Sequence, residues 1–509
     1  MKFGPKVTSV AIFAAAAVAL SGCAGSAGTA SGNASATETL TIGSLMNITS
    51  FDPAQAHLGH QMPMYQATYD TLILREPDGT LAPMLATEWT YNEDNTVLTL
   101  DLRDDVTFSD GEKFDAEAAK ANLDHFKSAN GPDAAQATTI DSVSVVDEDT
   151  ISLALTEPDP AIEYYLSQAV GFMGSPKALG SEEIKTVPIG SGPYIFDEKT
   201  SVNGSQFSYT ANEDYWDKDR QKYKKVIFKI LTDVTARTNA IVSGQVDATI
   251  LDAKNGTQAE GAGREHVEYS TDWTGLFLFD RDGKNTPALG DVRVRQAINF
   301  AFDKETMLEQ VALGNGEVTS QVFGKTTDAY VPELDDAYAY DPEKAKALLA
   351  EAGYADGFDL TLPILPGVES VMAMVAQQLG DVGINVILEA VPQPNYVSDF
   401  VAGKYSAVWF NSAQSDPWVQ IKQIMLPDSA YNPFDVADPE LQGALDAVKN
   451  GGENSGKLAQ EVNRYVTDNA WFAPWYRVGQ MFYIDGDKVT VEPQARQAVP
   501  NLYNYSPAS

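Results

Sequence analysis

The chain has 509 residues, 44% of them hydrophobic and 21% charged, and this composition excludes a disordered chain and a fibrous repeat. A single hydrophobic core rarely grows beyond about 300 residues, so the length predicts at least two lobes. The net charge of −36 disfavours binding to the phosphate backbone of nucleic acids, and we expect no nucleic-acid partner.

The first predicted element is a short apolar segment at the amino terminus. Lys2 and Lys6 precede a mostly apolar run over residues 7–20, an order that is typical of a secretory signal peptide. As a helix this run would cover about 21 Å, less than the ~30 Å hydrocarbon core of a bilayer. No apolar stretch in the sequence reaches the ~18–20 residues that a membrane span needs.

The signal-like segment is followed by the sole cysteine of the sequence. Residues 20–23 read LSGC and resemble the bacterial lipobox, in which the cysteine is lipidated and becomes the first residue. An incidental cysteine behind an ordinary signal peptide is the alternative. We therefore predict a signal peptide over residues 1–22, lipidation with palmitate-type acyl chains at Cys23, and a flexible Gly/Ser/Ala-rich tether over residues 23–37. The mature protein is then expected outside the cytoplasm, held on the lipid bilayer of the cell membrane.

Beyond residue 38 the pattern alternates between predicted strands and helices. Alternation of apolar residues predicts strands over residues 39–44, 96–102, 150–155, 225–231 and 358–365. Helical spacing, in several cases behind an Asp cap, predicts helices over residues 115–129, 291–313, 341–352, 370–380 and 438–447. The absence of a repeat period disfavours a solenoid or propeller and indicates mixed sheets flanked by helices, the α/β class.

Short motifs in a fixed order carry a resemblance to a known family. They read SFDP (50–53) with YDTL (69–72), LATEW (85–89), LRDDVTFSDG (102–111), GSGPY (190–194), NEDYW (212–216), VRQAIN (294–299) and YDPEKAKALLAEAGY (340–354). Together they resemble the bacterial extracellular solute-binding proteins of family 5, the peptide/nickel class. The last third of the chain matches this pattern less closely.

The resemblance implies a fold and a function. The implied fold is α/β, two-lobed and periplasmic-binding-protein-like of the class II type, with an inserted subdomain in lobe I. Lobe I would take residues 38–75, 186–270 and 474–509, the inserted subdomain residues 76–185, and lobe II residues 271–473. The implied function is capture of a small solute between the lobes and its delivery to the membrane permease subunits of an ATP-binding-cassette importer. The resemblance implies no enzyme activity, no cofactor and no metal site, and a monomer is expected.

Residues 410–418, FNSAQSDPW, resemble the cleft loop of the family. In peptide binders this loop typically carries an aspartate a few residues before its D-P pair, where it binds the peptide's α-ammonium. Ala413 and Gln414 occupy that stretch here, which argues against a free peptide. The candidate ligand-binding residues in and beside the loop are Trp409, Asn411, Gln414, Asp416 and Trp418, and Trp273 at the predicted crossing into lobe II joins them. Core packing of the tryptophans and a structural role for Asp416 are the alternatives.

His57 and His60 complete the set of candidate ligand-binding residues. They are two of only four histidines, and a spacing of three places both on one side of a helical turn, where they could share a metal chelate. Two surface histidines are the alternative reading. A peptide is the leading ligand class, and a nickel or metallophore complex, or an oligosaccharide, is the alternative.

An extracellular hydrolase is the competing class of protein. The sequence contains neither the H-E-x-x-H zinc motif nor the G-x-S-x-G nucleophile elbow. A glycosidase that uses two carboxylates stays open, because 71 acidic residues make acidic pairs uninformative. A tethered structural or adhesion protein is the third class, and it predicts no ligand-dependent closure.

Overall fold

The structure, a computed structural model, describes residues 38–56 and 59–508. The predicted signal peptide, the tether with its lipidation site Cys23, and His57 lie outside the described residues. Among the residues that are described, no helix is both long and apolar enough to span a bilayer.

The described chain alternates between short strands and helices. The strands are β1 Thr39–Ser44, β2 Ile73–Arg75, β3 Leu81–Pro83, β4 Ala86–Tyr91, β5 Val97–Leu102, β6 Ile140–Val145, β7 Thr150–Leu155, β8 Tyr194–Phe196, β9 Gln206–Ala211, β10 Lys225–Ile230, β11 Ala248–Ile250, β12 Glu265–Val267, β13 Ser270–Leu278, β14 Gly316–Val318, β15 Phe358–Ile364, β16 Ile384–Ala390, β17 Ala407–Ala413, β18 Phe472–Gly479, β19 Phe482–Ile484, β20 Val489–Val491 and β21 Tyr505–Pro507. The α-helices are α1 Met62–Gln66, α2 Ala116–Ser128, α3 Ile162–Leu166, α4 Val234–Val242, α5 Ala253–Gly261, α6 Val292–Phe300, α7 Lys304–Val311, α8 Pro342–Glu351, α9 Glu369–Asp381, α10 Gln393–Val401, α11 Pro417–Ile424, α12 Pro439–Lys449 and α13 Ser455–Asp468.

The predicted elements are confirmed with one exception. The five predicted strands correspond to β1, β5, β7, β10 and β15, each within one residue. The helix predicted over residues 291–313 is wrong as a single element, because the chain leaves the helix after Phe300 and starts again at Lys304. Asp303 causes the restart: its side chain accepts a hydrogen bond from the Thr306 backbone N–H at 3.1 Å and caps α7.

Three sheets of four or more strands organise the described chain. The amino-terminal sheet has seven strands in the order β12-β19-β11-β1-β10-β9-β8, with β1 parallel to both β10 and β11. The small sheet has the order β4-β5-β7-β6 and is antiparallel throughout. The carboxy-terminal sheet has the order β14-β18-β13-β17. Parallel pairs need crossover connections, which the helices supply.

Several of the sequence motifs meet at one buried carboxylate. Asp70 is fully buried and accepts hydrogen bonds from Ser191 Oγ at 3.0 Å, Tyr215 Oη at 3.0 Å and Trp216 Nε1 at 2.9 Å. The Arg103 guanidinium lies 4.1 Å from the centroid of the Trp216 ring. Burial raises the pKa of Asp70 to about 6, and hydrogen bonds from these three donors and from Tyr503 Oη, at 3.4 Å, oppose that rise. Segments far apart in sequence are thus held together by one acceptor.

Strand β13 separates two hydrophobic cores. Trp273 and Phe277 point to one face and stack with ring centroids 5.0 Å apart. Leu276 and Leu278 point to the other face and pack in a separate cluster with Trp475. Side chains alternate between the faces of a strand, so a continuous apolar run on β13 fills both cores.

The chain passes between the amino-terminal and carboxy-terminal sheets through two short connections. Residues 268–269 join β12 to β13, and residues 480–481 join β18 to β19. The two connections lie side by side, because the Gln480 backbone N–H donates to the Tyr269 carbonyl at 2.7 Å. Two adjacent short connections are the geometry of a hinge.

Candidate functional site

A cavity of about 540 Å³, here called the chamber, lies where six segments from distant parts of the chain meet. Its first wall is formed by residues 78–81 beside β3, residues 160, 163 and 164 of the α3 region, and residue 496. Its second wall is formed by residues 325–328, 416–417, 452–453 and 455–456, all from the part of the chain between the two hinge connections. A second cavity, of about 620 Å³, is lined only by residues 76–77, 217–222, 490–492 and 503–506, all outside that part. The chamber is therefore the better candidate for a site that closes on a ligand.

Contacts beside the chamber join the two walls. Lys422 Nζ lies 3.0 Å from a carboxylate oxygen of Asp159, whose side chain is only 1% exposed. Lys449 Nζ lies 2.7 Å from the Glu157 carboxylate, which is 54% exposed. The Asn95 amide also donates to the carbonyl of residue 450 at 3.2 Å. The structure therefore has its walls in contact.

The charges in the chamber are unevenly distributed. Its lining includes the acids Asp78, Glu163, Asp328, Asp416 and Glu453 and the bases Lys325 and Arg496. Lys325 is engaged in an ion pair with Glu317 outside the chamber. Arg496 donates to the Gly79 carbonyl at 2.5 Å, and within the described residues it forms no ion pair. A solute that enters therefore meets carboxylates and one guanidinium without a carboxylate partner.

Glu163 is an acid of the chamber whose pKa lies well above its ordinary value. It lies on α3 among the buried residues Ile162 and Tyr164 and is itself partly buried. Burial raises its pKa to about 7, the Trp89 side chain opposes this by hydrogen bonding, and the charges of Asp416 and Glu453 raise it further. Within the described residues, Glu163 has no lysine or arginine within ion-pair distance.

Asp416 begins α11 and lines the second wall. Its carboxylate accepts a hydrogen bond from the Trp418 backbone N–H at 2.9 Å, as an N-cap does. Burial raises its pKa, Arg496 and the helix N-terminus lower it, and the neighbouring Asp159 carboxylate adds to the rise. Asp416 thus combines a capping role with a place in the chamber.

The other candidates from the cleft loop lie on or near β17, outside the chamber lining. Trp409 donates from Nε1 to Thr274 Oγ1 at 3.0 Å across the sheet. Asn411 is exposed. Gln414 is buried, its backbone N–H donates to the Thr271 carbonyl at 2.7 Å, and its Nε2 has no hydrogen-bond partner among the described residues.

Two of the candidate tryptophans are core residues in this structure. Trp273 is fully buried and stacks on Phe277, and Trp418 is 3% exposed on α11. Neither lines the chamber. The alternation along β13 explains the first case, because position 273 shares its face with Phe277 and faces the core.

His60 lies away from the chamber. It lines a crevice of about 20 Å³ with residues of β1 and β19, and its Nδ1 is buried without a hydrogen-bond partner in the described part of the chain. Burial lowers its pKa, and the charge of Arg237 lowers it further. In residues 38–56 and 59–508, no group of three or more His, Cys, Asp and Glu side chains could hold a metal ion.

The sequence reasoning missed Glu163 and Arg496. A signal for Glu163 was present, because it is the one acid in the apolar run AIEYYL over residues 161–166, where a solvated acid has no place. Arg496 carried no local signal. It reaches the chamber through a left-handed backbone conformation, with φ of 59°, in a long loop.

Comparison with known proteins identifies similar sequences. A family model described as bacterial extracellular solute-binding proteins, family 5 Middle, matches residues 80–430, more than half of the chain. The nickel-binding periplasmic protein of Escherichia coli is 27% identical over 336 residues, covering 63% of this chain and 62% of that relative. Heme-binding protein A of Haemophilus influenzae is 28% identical over 421 residues, 71% of each chain. Di/tripeptide-binding protein 3 of Pseudomonas aeruginosa is 26% identical over 413 residues, covering 72% of this chain and 76% of that one.

Solved structures resemble nearly the whole chain. HbpA2 from Haemophilus parasuis superposes with a TM-score of 0.81 at 22% identity, covering 92% of this chain and 100% of that one. The periplasmic binding protein DppA from Helicobacter pylori, in complex with the peptide STSA, superposes with a TM-score of 0.71 at 20% identity, covering 93% and 99%. These likenesses show the fold, the two-lobed α/β architecture with an inserted subdomain that the sequence predicts.

Proposed function

Because this chain belongs to the bacterial extracellular solute-binding proteins of family 5, we propose that it is the solute receptor of an ATP-binding-cassette importer and that a small peptide binds in the chamber. The receptor hands the solute unchanged to the permease subunits. The observation that carries the peptide assignment is that groups of both charges line one chamber, the carboxylates of Glu163 and Asp416 and the guanidinium of Arg496, whose charge also acts on Asp416.

A peptide carries one charge of each sign at its termini, and both need partners when they leave water. The carboxylates suit an α-ammonium, and a guanidinium forms charge-assisted hydrogen bonds with a carboxylate. The volume of about 540 Å³ lies in the range of about 300–1,000 Å³ that small-ligand sites occupy. The peptide-binding names of one relative and one structural neighbour support the same choice.

Closure of the chamber follows from its two walls. In this proposal lobe I comprises residues 38–75, 186–270 and 474–509, residues 76–185 form the inserted subdomain, and lobe II comprises residues 271–473. A peptide that touches both walls stabilises the closed arrangement, because it gains those contacts only there. The paired connections at 268–269 and 480–481 supply the hinge.

Anchoring to the membrane is also part of this proposal. Cleavage before Cys23 and its acylation would leave residues 23–37 as a tether between the membrane and the folded chain. The test is metabolic labelling with an alkyne analogue of palmitate in the host. The label should be incorporated into the native chain and should be absent from Cys23→Ser. Equal labelling of both chains would contradict the proposed lipid anchor at Cys23.

The ligand class is tested with a pool of random tripeptides. The purified chain without residues 1–23 is dialysed against the pool, and mass spectrometry identifies the members that it retains. We expect retention of intact peptides and a rise in melting temperature with the pool. Absence of retention, or cleavage of the peptides, would contradict the proposal.

A metal chelate is the second candidate, supported by the nickel-binding relative and by the unpartnered Nδ1 of His60. The same dialysis with Ni(II)–histidine as the probe separates the two classes. If the chelate still binds after both His57 and His60 are replaced by alanine, the histidines do not contribute to chelate binding.

A further inference from the structure

The segment before and within α3 carries two acids with different surroundings. Asp159 receives Lys422 Nζ at 3.0 Å and the Thr139 hydroxyl at 2.7 Å. Glu163, one helical turn later, has no ion-pair partner within the described residues. Burying a carboxylate without a cation nearby costs free energy. A positively charged ligand that binds beside such a carboxylate at a cavity wall offsets this cost.

The remaining acids of the chamber are compensated or hydrated. Asp416 is stabilised by the backbone N–H groups at the start of α11. Asp78 accepts from the Thr80 N–H at 2.9 Å in an exposed turn. Asp328 and Glu453 are exposed. Glu163, which lies in the first turn of the five-residue helix α3, is mostly withdrawn from water and has no lysine or arginine within ion-pair distance among the described residues.

The charged and titratable groups around Glu163 come from every element packed against it. β4 contributes Trp89 and Tyr91, α11 contributes Asp416, the segment after α12 contributes Glu453, and α12 contributes Lys449. The segment before α3 contributes Asp159, and the loop after β20 contributes Arg496. The Lys449 ammonium is already held by Glu157 at 2.7 Å. The nearby charges that raise the pKa of Glu163 are therefore negative.

We propose that Glu163 determines the selectivity of the chamber for solutes with a cationic group, and that it supplies the carboxylate which the cleft loop lacks at Ala413 and Gln414. This inference rests on the proposed function. The cavity in front of Glu163 and the unpaired guanidinium of Arg496 in the same chamber indicate a ligand with both charges.

A proton and the ligand's cationic group then compete for the same carboxylate. Below about pH 7 the pKa of Glu163 keeps much of the ligand-free protein protonated, and an ammonium that binds must displace this proton. Peptide affinity therefore rises as the pH rises through about 7, and binding near pH 7 releases a proton. A residue with only a structural role would produce neither effect.

The test uses the tripeptide pool and the same pool after N-acetylation, which removes the cationic terminus. The tightest retained tripeptide is then titrated calorimetrically at pH 7 in phosphate and in Tris, whose ionisation enthalpies differ. Glu163→Gln removes the charge and keeps the shape, Glu163→Asp keeps the charge, and Glu309→Gln is the matched control at an exposed acid on α7, outside the chamber. Circular dichroism confirms that each variant is folded.

We expect the wild-type chain to prefer the free-amine pool and to release protons on binding. Glu163→Gln should lose about 10- to 100-fold in affinity for the free peptide and should lose proton release, whereas Glu309→Gln stays within about threefold. Glu163→Asp should retain proton release. Equal retention of both pools, or proton release that persists in Glu163→Gln, overturns this inference and leaves the peptide assignment standing. Failure of the wild-type chain to retain any peptide overturns both.

Discussion

Replacement of Lys422 by methionine would leave the Asp159 carboxylate buried without its cation. The pair spans the two walls of the chamber, with 263 positions of sequence between the partners, and the Asp159 side chain is 1% exposed. Methionine keeps most of the apolar stem of lysine, so the change removes mainly the charge and its hydrogen bond.

The free-energy cost of Lys422→Met depends on how many hydrogen bonds and how much water still stabilise the Asp159 carboxylate. Removing one partner of a buried ion pair costs about 3–5 kcal/mol, and a hydrogen bond to a charged group contributes about 1.5–3 kcal/mol. Lys422 is 28% exposed, and Asp159 retains the Thr139 hydroxyl at 2.7 Å and the Ala161 N–H at 3.1 Å. We therefore expect about 2 kcal/mol, which corresponds to about a 30-fold change in the equilibrium between joined and separated walls.

Small-angle X-ray scattering and hydrogen exchange of the ligand-free protein measure this equilibrium. Lys422→Met should increase the radius of gyration and accelerate exchange in α3 and α11. Lys449→Met is the matched control, because its partner Glu157 is 54% exposed and such pairs contribute about 0–1 kcal/mol. Identical scattering and exchange for wild type and Lys422→Met, or a larger effect from Lys449→Met, would refute the reasoning.

Three further predictions concern stability, measured by urea unfolding. The free energy of unfolding of the ligand-free protein should fall as the pH rises from about 4.5 to about 7, because the folded-state pKa of Glu163, about 7, exceeds its ordinary 4.5 and the native state binds the additional proton. This contribution is at most about 3 kcal/mol and should vanish in Glu163→Gln, so an unchanged pH profile in that variant would contradict it. Trp273→Ala should lose about 3–5 kcal/mol, since the ring is fully buried, and a loss below about 1 kcal/mol would be inconsistent with that burial. Gly192→Ala should lose about 1–3 kcal/mol because a Cβ there would lie 2.5 Å from the Thr68 carbonyl carbon, whereas Gly443→Ala on α12 meets nothing within 4 Å and should be neutral or stabilising. Equal changes in the free energy of unfolding for Gly192→Ala and Gly443→Ala would contradict the steric explanation for Gly192.

The strands and helices could be predicted from local sequence patterns because each element depends mainly on residues that are neighbours in the sequence. Strand β7 follows the alternation in TISLAL, and α8 follows an Asp cap, a Pro in the first turn and Gly353 at the stop. The break between α6 and α7 was missed because apolar spacing continues across residues 301–303, and the cap formed by Asp303 decides the outcome. A capping side chain can end one helix and start another even where the apolar spacing continues. The apolar spacing alone therefore does not reveal the break.

The candidate site was harder to predict because its residues are distant in sequence. Asp416 was found from the cleft-loop motif and lines the chamber. Glu163 and Arg496 reach the same cavity from different parts of the chain, and nothing in their spacing indicates that they meet. Trp273 is a candidate ligand residue by its chemistry, with core packing as the alternative, and the alternation of β13 directs it into the core. Residue type indicates which interactions a side chain can make, whereas the topology of the fold determines which groups it contacts.

Native mass spectrometry of the protein purified from its own host tests the central claim most directly. We expect a fraction of the chain to carry a small peptide that is released intact on denaturation and that shifts the ligand-free chain to a more compact form when it is added back. A chain that never carries a solute, keeps one shape with every peptide tested, or converts a bound molecule into a product would contradict the account.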